Sequence, residues 1–272
     1  MQWLELCNHD KALLKRLRYQ VANFGTHISA GFVVIGAIAT ITLAADVISK
    51  ECLLTITTAG VVGSILPDID HKESRSSQAF FSALALVISF SVLTLNIDEY
   101  SVVEIWLLWL FSFILVRYAA ATLFHLFSYH RGVWHSLLAA FFFWFIATNI
   151  FYYFINYDEV VAWCSGGFVF IGYLTHLILD ELFSVDLMGR RLKASFGSAL
   201  KLYDYRNISD SLIVGVFTFL AFLLTPSPES FINQIKSQQL WLDLKIKLLP
   251  KGEWFSLYPS HFESQQLMSL LF

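Results

Sequence analysis

Leu66-Pro67-Asp68-Ile69-Asp70-His71 closes a strongly apolar run with two carboxylates and an imidazole. Ionisable groups beside a hydrocarbon layer are expensive, roughly 2.5–3.5 kcal/mol each at the centre of a membrane helix. They persist where something pairs with them, and a metal ion is a natural partner. The meaning of the stretch therefore depends on two things: whether the run before it is a membrane segment, and whether the rest of the chain brings further ligands to the same end.

Composition answers the first. The chain has 272 residues, is 57% hydrophobic and 14% charged, and has a mean hydropathy of +0.62. Soluble domains carry about 25% charged residues, so this is an integral membrane protein. The 26 Phe and 8 Trp suit helices in lipid. Cys7, Cys52 and Cys164 are scattered, odd in number and form no C-x-x-C, so they read as packing residues, not as disulfides or ligands. No Gly-rich phosphate loop and no internal repeat is present, and no nucleic-acid partner is expected.

Seven apolar segments follow from hydropathy and length, at about 28–48, 52–67, 79–97, 102–124, 136–156, 160–183 and 208–225. The second is short and stops at Pro67, where a helix does not readily continue. The seventh stops at Pro226 and is marginal in length. The expected fold is an all-α polytopic transmembrane helical bundle of about six or seven membrane segments. Residues 1–225 read as the membrane-embedded domain and residues 226–272 as a C-terminal tail whose stretch Ile235–Leu249 suits an interfacial helix. Residues 1–26 read as a basic lead-in, not as a cleaved signal peptide.

Charge sets the orientation. Lys72 and Arg75 follow segment two, Arg131 follows segment four, and Arg190, Arg191, Lys193, Lys201 and Arg206 follow segment six. The alternate loops carry Asp98, Glu99, Glu104, Asp158 and Glu159. Lys/Arg excess marks the cytoplasmic side, which predicts a cytoplasmic N-terminus. It also gathers His27, Asp68, Asp70, His71, His125, His130, His135, His176 and Asp180 at one face. Gly166-Gly167 falls inside segment six and suits close helix packing.

Three pieces of this constellation carry chemistry. His176-Leu-Ile-Leu-Asp180 places imidazole and carboxylate on one helical face, either as joint ligands or with Asp180 fixing the imidazole from behind. Asp68 and Asp70 diverge on a helix, but a turn after Pro67 can fold both towards one point. His130-Arg-Gly-Val-Trp-His135-Ser136 has a glycine turn between its histidines, and Ser136 can cap the next helix. Arg131 has the fork that suits phosphate or carboxylate. Asp and His at one depth match a divalent metal ion, zinc first and manganese or iron as alternatives, and more than one ion is compatible with so many donors. Such a site can polarise water and steady a phosphoryl transition state, with a free Asp or His as base.

These motifs, in this order, resemble the YdjM-like family of bacterial inner-membrane proteins, regarded as metal-dependent hydrolases. The resemblance rests on Thr26-His27, Leu66 to His71, His130-Arg131-Gly132 with His135-Ser136, and Gly172 to Asp180, and covers about residues 26–200. It implies a multi-pass protein of the bacterial inner membrane with metal ligands His27, Asp68, Asp70, His71, His130, His135, His176 and Asp180. The chain is more loosely similar to the zinc phospholipase C and P1 nuclease architecture, in which an H-x-x-x-D helix supplies ligands. Family members commonly follow that helix with a Gly-containing turn and a Trp-Pro stretch. Here Glu181 to Lys193 is basic instead, which favours anionic headgroups.

The leading expectation is a metal-dependent hydrolase at the cytoplasmic leaflet, acting on a phosphoester, a phospholipid or another anionic substrate. Asp70 is its candidate base and Arg131 its candidate cation. Two alternatives stay open: an ion or proton transporter, whose stations should be spread through the bilayer depth, and a membrane regulatory protein with a structural metal site. The sequence leaves the oligomeric state unset.

Overall fold

The computed structural model describes residues 24–126, 132–186, 191–192 and 200–248, and over these the chain is an all-α bundle. The helices are α1 (Phe24–Ala44), α2 (Lys50–Gly63), α3 (Arg75–Leu95), α4 (Val102–Leu126), α5 (Leu137–Phe154), α6 (Glu159–Ser184), α7 (Ile208–Leu223), α8 (Glu229–Lys236) and α9 (Gln238–Leu248). A short 3-10 helix, Leu66–Asp70, joins α2 to α3. Val185–Asp186 and Arg191–Leu192 form a minimal antiparallel pairing after α6.

Five of these helices, α1, α3, α4, α5 and α6, are long and apolar enough to cross a membrane. α7 has 16 residues and α2 only 14. At 1.5 Å per residue α2 rises about 21 Å, short of the roughly 30 Å hydrocarbon core. It nevertheless returns the chain to the end at which α1 begins, because Ser64, just past its last turn, touches His176 of α6. The polytopic bundle read from hydropathy is the fold.

α6 is the axis of the bundle. Two-thirds of its apolar window is buried, against about a tenth for α4. It packs on α1, α2 and α5, while α3 pairs with α4, and α7 covers α5. Small residues let the inner helices meet backbone to backbone. A methyl group added at Gly172 of α6 would run into the Gly60 carbonyl of α2, and one at Gly63 into the Val169 carbonyl. At Gly31 of α1 it would collide with the Ser64 side chain. Gly166 approaches Thr148 and the Trp144 carbonyl of α5, so the packing role expected for the Gly166-Gly167 pair falls on Gly166, while Gly167 faces open space.

One apolar core, with Leu66, Ile69, Tyr173 and Leu177, lies beneath the 3-10 turn; a second, with Ile35, Ile56, Cys164 and Phe168, fills the far half between α1, α2 and α6. Cys52 and Cys164 are free thiols. The segment 224–248 sits at that far end: Trp163 Nε1–H donates to the Pro226 carbonyl, Ser230 donates to Glu159, and Lys247 pairs with Asp46 at 2.5 Å.

Candidate metal centre

Three separate stretches converge where α1 begins and α6 nears its end. The first is the Pro67 turn. Proline sits in its first turn, where its missing N–H costs nothing. Asp68 N–H and His71 N–H close 3-10-type bonds to Ile65 and Asp68. Ser74, the N-cap of α3, accepts from Ser77 N–H and donates to the Asp68 carbonyl at 2.8 Å. Asp68 is thus tied by its backbone while its side chain is left to face the bundle.

The second is the turn before α5. Ser136 caps α5 by accepting from Ala139 N–H and donates to the Val133 carbonyl. The free N–H groups of Leu137 and Leu138 donate to the carbonyls of Lys201 and Leu202, so the 200–206 strap holds this helix start. Tyr173 donates to the Trp134 carbonyl. His135, one residue before the cap, is 1% exposed and aimed inwards. The third stretch is α6, where His176 and Asp180 share a face as their spacing requires.

At the meeting point His176 Nε2 lies 3.5 Å from Asp68 Oδ1 and 3.7 Å from Asp180 Oδ2. His135 Nε2 lies 3.7 Å and 3.6 Å from the same two oxygens. His27, in the first turn of α1, reaches Asp180 Oδ1 with Nε2 at 3.4 Å, and its ring stacks on that of His176 at 3.7 Å. The ligand atoms of His27, His176 and Asp180 lie within 4.8 Å of one another, as do those of Asp68, His135 and His176. Three imidazoles and two carboxylates therefore share one small, buried volume.

The outer nitrogens fix the inner ones. His176 Nδ1 is 2.7 Å from the Ser64 carbonyl, which can only accept, so Nδ1 carries the proton and Nε2 presents a lone pair. His135 Nδ1 faces Asp70 Oδ2 at 3.5 Å, and the Asp70 side chain is fully buried. A carboxylate or carbonyl behind each imidazole is the arrangement that orients histidines for a metal.

These residues fit a divalent cation. His176 Nε2 is buried with no hydrogen-bond partner, although it points at two carboxylates. Contacts of 3.5–3.7 Å are too long for hydrogen bonds but leave room for an ion between nitrogen and oxygen. Without one, the charges bear on each other directly. Burial works against a charged His135, but Asp68 and Asp70 outweigh it and hold its pKa up at about 9. Burial also pushes the Asp68 carboxyl up, yet His135 and His176 together hold it well below the usual carboxylate range.

The remaining predicted residues fall elsewhere. Asp70 is not in the shared volume; it stands behind His135. His71 is exposed, and its Nδ1 accepts from Glu73 N–H at 3.2 Å. His125 pairs with Ser77 Oγ at 3.0 Å and packs against Phe81 and Phe124. His130 and Arg131 lie outside the described residues, as does Arg190 of the basic loop. The Ser64 carbonyl had no sequence signal, since a backbone acceptor is independent of side-chain identity.

A family model described as YdjM inner membrane protein matches residues 22–192, a span containing every residue of this cluster. No curated protein and no solved structure matches the chain.

Proposed function

We propose that this chain, which belongs to the YdjM inner membrane protein family, is a metal-dependent hydrolase acting on a phosphoester or lipid at the membrane surface. The observation that carries the reading is the convergence of His135 and His176, each with its outer nitrogen held, on the carboxylates of Asp68 and Asp180. The arrangement favours a single ion. His176 belongs to both ligand groups, but Ser64 occupies its Nδ1 and leaves one nitrogen to give. Asp68, His135, His176 and Asp180 would hold the ion, with zinc the best match to mixed imidazole and carboxylate donors. A bound divalent ion supplies Lewis acidity toward water and toward a phosphoryl or carbonyl oxygen.

The chain's own groups then divide the work. Asp70 and the Ser64 carbonyl position the two imidazoles. His27 steadies Asp180 through Oδ1, leaving Oδ2 turned to the centre. Asp68 is the most open of the clustered side chains, at 24% exposure; its Oδ1 faces the imidazoles and would hold the ion, and its second oxygen is the atom left to take a proton from an attacking water. Asp70 is fully buried and out of reach of solvent, so its role is to position. The positive-inside pattern puts this end, and the N-terminus, in the cytoplasm.

Elemental analysis of purified protein tests the reading, with a phosphoester and lipid-ester turnover panel on the same samples. One ion per chain is expected in the natural protein, and loss of both ion and turnover in His176→Ala and Asp68→Ala. A folded His176→Ala protein with unchanged metal content overturns the ligand set. Full metal binding without turnover on any ester favours the structural alternative.

A further inference from the structure

An apolar groove of about 610 Å³ runs along the outside of the bundle between α2, α3 and α5. Leu54, Thr58 and Val62 form one wall, Phe80 and Ala147 face them, and Leu66 closes the upper end. Leu66 is two residues from Asp68, so the groove ends beside the metal-ligand cluster. Its walls are helices that run within the apolar bundle, and the medium at its open side is lipid.

Three observations say what fills it. The stretch from Leu54 to Val62 rises about 12 Å, close to half of the roughly 30 Å hydrocarbon core, which is the depth of one leaflet. The cluster is itself recessed: α2 ends early, and His176 lies eight residues before the end of α6, about 12 Å of helix. A polar centre at that depth meets the head-to-tail junction of a lipid more readily than a molecule in bulk water. Lys72 and Arg75, both exposed, follow the Asp68 turn directly and, with the exposed Glu73 between them, leave this surface a net charge of +1 that favours anionic headgroups.

We propose that the groove holds one acyl chain of a membrane phospholipid and so presents the headgroup phosphoester to the cluster. This names the substrate class of the site and rests on the hydrolase reading above. The acyl chain lies along the α2 wall, and the chemistry is done at Asp68 and its neighbours.

The test uses the full chain in phosphatidylethanolamine–phosphatidylglycerol vesicles that contain phosphatidylglycerol with a diazirine on its acyl chain. After photolysis, labelled peptides are mapped by mass spectrometry, and metal content is measured on the same samples. Labelling is expected to concentrate on the α2, α3 and α5 walls. Thr58→Phe, at an exposed wall position, should cut that labelling several-fold with metal retained. Val103→Phe, on the exposed lipid face of α4, should leave it unchanged. Labelling spread evenly over all lipid-facing helices, or undiminished in Thr58→Phe, overturns the groove with the metal reading intact. Focused labelling in a chain that binds no metal overturns the hydrolase reading and leaves a lipid-binding groove.

Discussion

Asp68 and Asp70 stand two residues apart on one turn, yet their substitutions should have different consequences for metal binding. Asp68 Oδ1 faces the inner nitrogens of both His135 and His176 at 3.7 Å and 3.5 Å. Asp70 Oδ2 faces only the outer nitrogen of His135, at 3.5 Å. Asp70→Asn keeps the shape and an acceptor oxygen but removes the charge that makes the imidazole a better donor. Substitutions of this kind behind a metal-binding histidine weaken affinity about 10- to 100-fold. That corresponds to roughly 1.4–2.7 kcal/mol. Asp68→Asn removes the charge of a proposed ligand and should weaken affinity further still. Competition against a chromophoric chelator in detergent reads both values on folded protein. If Asp70→Asn strips the ion as fully as Asp68→Asn, Asp70 is a ligand and the division between the two carboxylates is wrong. If Asp70→Asn changes nothing, the contact with His135 orients nothing.

Three further outcomes follow from the same geometry. In metal-free protein His135 is raised above its ordinary 6.5 to about 9, so its contribution to stability is complete below about 6.5 and is lost as pH rises through about 9. The Tm of chelator-treated protein should fall across that interval, His135→Gln should flatten the fall, and metal affinity should climb as the competing proton leaves; a rising Tm refutes the ion-pair account. Gly172→Ala drives a methyl into the Gly60 carbonyl and should cost about 1–3 kcal/mol in unfolding experiments, the usual range for overpacking. It should also weaken metal binding, because the α2–α6 contact carries Ser64 to His176; unchanged affinity would separate the two. Finally, with Cys7, Cys52 and Cys164 replaced, single cysteines at Lys72 and Arg206 should react with an impermeant thiol reagent only from the cytoplasm, and those at Asp98 and Asp158 only from outside. The reverse pattern would invert the orientation.

The bundle was legible because lipid imposes a strong pattern: long apolar runs bounded by Pro67, Pro226 and charged loops. The His176/Asp180 pair was legible because helical spacing alone puts both on one face. The roles of Asp68 and Asp70 were not. On a helix they diverge, and only the 3-10 turn, held by Ser74 to the Asp68 carbonyl, sets them on either side of the His135 ring. His71 shares their motif but follows the turn, where its Nδ1 accepts from Glu73 N–H. The short α2 was visible in hydropathy. That its two glycines and Ser64 dock against α6 required knowing which helix lies beside it.

The position of the cluster bears on the relay alternative. A proton or ion path needs titratable stations at successive depths. Beyond His176, towards the far end of the bundle, the described interior is mainly apolar, with Ile35, Ile56, Phe168 and Tyr173, and Cys164 is a buried thiol among them. Two of the buried hydroxyls there are already spent: Thr148 donates to the Trp144 carbonyl and Ser165 to that of Val161. Both bonds run within their own helices, so neither hydroxyl hands a proton onward to the cluster. Gly60, Gly63 and Gly172 close the α2–α6 seam backbone to backbone, at the place where a water file between the two helices would run. Rocking α2 against α6 to open that seam would carry the Ser64 carbonyl away from His176 Nδ1 and release the imidazole from its orientation. The contact that prepares His176 for an ion is therefore the same contact that seals the bundle beneath it. A centre built this way suits chemistry at one membrane face far better than passage between two.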